Sequence, residues 1–105
     1  MRRMKRRVMY VEHKGGRHDE RGAAWIGWVT YSKTGRTVYA RGLRLQRARG
    51  LVCGNHVDLD TGEEYWVSGP KRNGQDRLYG NAPVEVEDDA VEEYARLTGR
   101  LSAGV

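Results

Sequence analysis

The residues with the widest chemical repertoire in this chain are three histidines, His13, His18 and His56, and one cysteine, Cys53. His13, His18, Asp19 and Glu20 lie close in sequence, and Cys53 stands near His56, but neither group has the paired ligand spacing of a structural zinc site. No metal and no cofactor is expected. Thiol catalysis would have to recruit Cys53 with His56, yet on a strand residues at that spacing face opposite sides, and no Gly-x-Ser-x-Gly elbow is present. Cys53 is therefore read as a small buried hydrophobe. Asp58, Asp60, Glu63 and Glu64 cluster around one turn, where capping and solvation account for them more simply than acid–base work. No catalytic residue is expected, and the chain is read as a non-enzyme.

Anion binding is better provided for. Ser68-Gly69-Pro70-Lys71-Arg72-Asn73-Gly74 is glycine-rich and basic, but it lacks the Gly-Lys-Ser/Thr ending and following helix of a nucleotide phosphate loop. Lys71 and Arg72 can still hold a phosphate from outside, as can Lys33 and Arg36 in another polar turn. Arg41, Arg44, Arg47 and Arg49 continue the series, interleaved with Tyr31 and Tyr39, so one sheet face can offer cations to phosphates and rings to bases. The expected contacts are Lys33, Arg36, Arg41, Arg44, Lys71 and Arg72, with Tyr39 and Trp66 as stacking rings. No helix is basic enough to enter a duplex groove, which favours RNA or single-stranded nucleic acid. The alternative is a protein-interaction adaptor or small regulator that offers the basic sheet, or a strand edge, to an acidic protein partner.

The charge distribution supports either partner. Residues 1–50 carry 14 Lys and Arg against 3 Asp and Glu, a balance of +11, whereas residues 51–105 carry 5 against 11, a balance of −6. Such asymmetry points to a polyanion or an acidic surface. The single cysteine rules out an internal disulfide, and with no apolar export segment after Arg2-Arg3-Met4-Lys5-Arg6-Arg7 the chain is assigned to the cytoplasm. No run is long enough to span a membrane.

These side chains must be positioned by a single small domain, since 105 residues support one core. With no Phe, that core leans on Val, Leu, Ile, three Trp and six Tyr. Residues 1–23 read as a basic arm and loop around one short strand at Met9-Tyr10-Val11. From Ala24 the chain turns β-rich: Trp25 to Tyr31 and Thr37 to Arg41 form a hairpin across Gly35, and Val57 to Leu59 and Glu64 to Val67 form another across Gly62. Asp60 is the expected turn cap. Leu43 to Arg47 extends the second strand beyond a kink at Gly42. Arg77 to Tyr79 and Val84 to Val86 supply the last strand or strands.

A helix over about 88–98 presents Val91, Tyr94 and Leu97 to an open end of the sheet. Asp89 and Glu92 have capping-box spacing and Gly99 is the stop, leaving residues 100–105 as a frayed tail. The domain over 24–99 is thus mainly β, a small SH3-like curled antiparallel sheet or barrel of about five strands with a C-terminal α-helix. An open α+β meander is the competing arrangement.

The blocks Tyr31 to Tyr39 and Thr61 to Arg72, followed by Asp76-Arg77-Leu78-Tyr79, resemble a family of small, uncharacterised bacterial proteins, over roughly residues 9–95. The resemblance implies no assigned mechanism. Members sometimes carry the name of a thiamine-diphosphate synthase, an activity that needs several times this length and a diphosphate-binding motif foreign to this chain. The family begins near the equivalent of Met9, so the arginine-rich arm falls outside the shared blocks.

Overall fold

The structure, a computed structural model, describes residues 5–14, 24–70 and 84–99. His18, Lys71, Arg72, the strand expected at Arg77 to Tyr79 and the tail at 100–105 lie outside the described residues. Six antiparallel strands form a closed barrel: β1 (Arg6–His13), β2 (Ala24–Tyr31), β3 (Thr37–Ala40), β4 (Leu43–Arg47), β5 (His56–Asp58) and β6 (Glu64–Ser68). Closure comes from β1, which pairs with β2 along one edge and with β6 along the other. It replaces the open meander as the arrangement of the sheet, and it is consistent with a small SH3-like barrel.

β1 is longer than the three residues its sequence advertises because it is buried on both faces. Val11 faces the interior while Val8 and Tyr10 face outward under other chain, so the polar alternation that marks a half-exposed strand is missing. The interior is filled by Val11, Trp25, Val29, Val38, Ala40, Leu45, Tyr65 and Val67. Leu43 to Arg47 is a strand of its own and not a continuation of β3. Arg41 and Gly42, with φ of 48° and 78°, make a two-residue hairpin that reverses the chain, the geometry that positive φ at both central positions permits. Gly35 and Gly62 take the left-handed positions expected of them, at φ of 77° and 78°. The second turn is capped by Asp58, whose Oδ1 accepts the Asp60 N–H at 2.8 Å, and not by Asp60.

After a short β7 (Glu85–Val86), which lies parallel to the first half of β2, a 3-10 turn (Asp88–Ala90) leads into α1 (Val91–Thr98). The helix lies on the outer wall of the barrel and not over an open end. Ala90 and Tyr94 cover Val8, Tyr10 and Ile26 in a second apolar layer, flanked by Trp28 and Trp66. The buried stripe is Ala90, Tyr94 and Thr98, while Leu97 is 37% exposed. No side-chain capping bond forms at the start, because the preceding 3-10 turn makes Ala90 the N-cap. Gly99 ends the helix in the left-handed conformation, as its sequence position suggests. Among the described residues no helix is long and apolar enough to cross a membrane.

Candidate functional site

Strand direction sorts the cations of this chain onto two ends of the barrel. At one end lie the start of β1, the finish of β2, the start of β3 and the finish of β4, which bring together Lys5, Arg7, Lys33, Arg36 and Arg47. The β3–β4 hairpin, the β5–β6 turn and the finish of β1 make the other end. There each cation among the described residues has a carboxylate: Lys14 Nζ is 3.2 Å from Glu12, Arg44 Nη2 is 2.7 Å from Asp60, and Arg41 Nε is 2.7 Å from Glu87.

Among the described residues the first end receives no such neutralisation. From Arg21 to Val57 the chain contains no Asp or Glu, so β2, β3, β4 and their connections bring no acid with them. Among the described residues, Lys5, Arg7, Lys33, Arg36 and Arg47 form no ion pair, and all five are exposed. Glu64, the first acid of β6, is occupied elsewhere. Its two oxygens accept the N–H groups of Val52, Cys53 and Gly54 at 3.1, 2.7 and 2.8 Å, which hold its pKa below the ordinary value.

Register places Arg7, Tyr31, Arg36 and Arg47 around one mouth. Tyr31 on β2, Arg36 immediately before β3 and Arg47 on β4 continue the inward-facing positions one step beyond the buried Val29, Val38 and Leu45, and Arg7 on β1 is opposite Val29 on the same face. Burial raises the Tyr31 phenol pKa, and Arg7 and Arg47 pull against that rise, so both guanidinium groups act on the same hydroxyl. Directly opposite Arg47 on β5, His56 is buried and its pKa is lowered to about 4, first by burial and then by Arg47. It is neutral at physiological pH. Its tautomer follows from Asn55: Oδ1 accepts the Val67 N–H and Nδ2 donates to the Val67 carbonyl, both at 2.8 Å, which orients the amide. The 2.8 Å contact from His56 Nδ1 to Asn55 Oδ1 therefore has the imidazole as donor. The mouth thus combines three free guanidinium groups with a neutral phenol and a neutral imidazole, a set suited to holding an anion.

The residues expected to form one face divide into three groups. Lys33 and Arg36 sit at the unpaired end. Tyr39, 38% exposed, lies on the outer wall directly opposite Arg44, whose charge is shared with Asp60. Arg41 lies over the Trp25 ring at 4.2 Å and bonds Glu87, so it is built into the barrel. Trp66 is on β6, two strands away from β4, and packs in the helix-covered layer; it does not share a surface with Tyr39. Lys71 and Arg72 follow Pro70 outside the described residues. Cys53 is exposed, contrary to its reading as a buried hydrophobe, in a loop whose Asn55 is hydrogen-bonded along the edge of β6. His13 and His56 are the register partners of Tyr65 on its two sides, so the described histidines face the interior. Arg7 and Arg47 were legible as basic residues, but only strand register gathers them with Tyr31. The chain matches no protein-family model, no curated protein and no solved structure.

Proposed function

We propose that this protein is a cytoplasmic, non-enzymatic binding domain for RNA or single-stranded nucleic acid, and that the unpaired basic end of the barrel is its contact surface. One observation carries the reading: among the described residues, cations are matched with carboxylates at one end of the barrel and left unmatched at the other. Exposed unneutralised cations repel one another and return nothing to the fold, whereas they release counterions when a phosphate backbone docks. Lys33, Arg36, Arg7 and Arg47 are the phosphate contacts, and Tyr39 on the adjoining wall is the ring available to a base. Lys71 and Arg72, next in the chain after Pro70, remain proposed contacts on the sequence alone. Arg41 and Trp66 serve the barrel and its helix layer.

Binding by four such cations to a single strand implies a log–log salt slope of roughly −3, so affinity for a labelled oligonucleotide should fall roughly 50-fold between about 50 and 200 mM salt. Fluorescence anisotropy with single-stranded RNA and DNA measures this. No binding at micromolar protein in the lower salt would overturn the reading. So would recovery, from nuclease-treated lysate, of one stoichiometric acidic protein held by the same arginines.

A further inference from the structure

We propose that Arg36 and Arg47, directly opposed across the β3–β4 pair, form with Arg7 a seat for one phosphate group at the barrel mouth. The inference rests on the nucleic-acid reading above for the source of that phosphate, and it assigns the group that anchors the strand. Thr37 pairs with Gln46, so the next position sets Arg36 opposite Arg47, and the Arg47 N–H donates to the Arg36 carbonyl at 2.8 Å. Opposed residues of an antiparallel pair have Cβ atoms about 5 Å apart, and like charges at that spacing destabilise the sheet. At the other end of the barrel Arg44 is answered by Asp60 and Arg41 by Glu87. Here, among the described residues, neither arginine has such a partner. On the far side of Arg47 the register partner is His56, which is neutral and adds neither charge nor relief.

Arg7 completes the arrangement from β1. Register sets it opposite Val29, on the face that carries Tyr31 one step further along β2, and both it and Arg47 pull the Tyr31 pKa down against the rise that burial imposes. Guanidinium forks present paired N–H donors that match phosphate oxygens, and a neutral phenol adds a further donor. A phosphate placed there turns a repulsive arginine pair into a bridged one. The same ligand chemistry is offered by a backbone diester and by a terminal monoester.

The experiment compares R36Q and R47Q with the parent protein, with R96Q as a control for lost positive charge, since Arg96 pairs with Glu93 on the helix. Without ligand, both mouth variants are expected to melt higher than the parent, because the repulsion is gone. With labelled single-stranded RNA their affinity should fall about 5- to 10-fold and the salt slope should become shallower, while R96Q stays near the parent. Inorganic phosphate, against chloride at matched ionic strength, should raise the parent's melting temperature and leave that of R36Q and R47Q unmoved.

Oligonucleotides with and without a 5′-phosphate distinguish the sources. Equal binding assigns the seat to a diester, and preference for the phosphorylated end assigns it to a monoester. If RNA binds the parent but R36Q and R47Q behave like R96Q, the seat is overturned and the nucleic-acid reading stands. If no nucleic acid binds while inorganic phosphate still stabilises through Arg36 and Arg47, the reading fails and the seat survives.

Discussion

His56 illustrates how one side chain reports its surroundings. It sits 7% exposed on β5, with Nδ1–H donated to Asn55 and Arg47 as its strand partner, and burial first and the Arg47 charge second oppose a second proton. The folded pKa is therefore about 4 against an ordinary 6.5. Because it is lowered, the neutral form is the one the fold holds. Above pH 6.5 the group makes no pH-dependent contribution, and as the pH falls toward about 4 the unfolded chain takes up a proton that the folded ring refuses. Urea titrations across that window should show stability falling with a slope of about one proton relative to a His56→Gln variant. Parallel profiles for the two proteins would mean that His56 titrates normally in the fold. The sequence marks His56 only as a histidine near a cysteine; its neutrality depends on burial and on an arginine from another strand.

The connection between β4 and β5 is the element in which sequence reasoning reached least far. It has no regular structure, and its order comes from three donors meeting Glu64 and from Asn55, whose side chain takes both the N–H and the carbonyl of Val67 as an added strand would. Gly54 passes so close to β6 that a Cβ there would lie 2.5 Å from the Tyr65 carbonyl oxygen. That oxygen is backbone and cannot swing aside. Gly54→Ala should accordingly cost about 1–3 kcal/mol of unfolding free energy, measured by denaturant titration. A neutral outcome would show that the loop does not run against β6. The hairpins, by contrast, were readable at Gly35 and Gly62, since left-handed turn positions are a local requirement. Helix α1 was readable in extent but not in orientation. Its apolar residues fit more than one stripe, and the curvature of the barrel wall selected Ala90, Tyr94 and Thr98.

At the scale of the molecule, β2 is shared along one edge, with β3 on Thr30 and Tyr31 and β7 on Trp25 and Ile26. Arg41 fills the junction, lying over Trp25 and bonded to Glu87, whose carboxyl occupies the space a side chain at Gly27 would need. This makes Arg41 a residue of barrel integrity. Arg41→Ala should lower stability by about 1–2 kcal/mol, the sum of a modest cation–π contact and a partly exposed ion pair, while leaving the salt slope of oligonucleotide binding unchanged. A shallower slope at unchanged stability would return Arg41 to the contact surface. The same scale explains the lopsided charge. Acidic β5, β6 and β7 segments reach the hairpin end of the barrel, and the cations brought there by β1, β3 and β4 are consumed, while those at the opposite mouth are left over.

Local chemistry was enough to specify a mainly β chain, two glycine-turned hairpins, a terminal helix ending at Gly99 and a strongly basic first half, because each depends on neighbours in sequence. Barrel closure by β1, the docking of α1 on the wall and the convergence of Arg7, Arg36 and Arg47 around Tyr31 were decided only in three dimensions. All three depend on register between strands far apart in the chain. A shift of one residue would turn those arginines to the other face of the sheet.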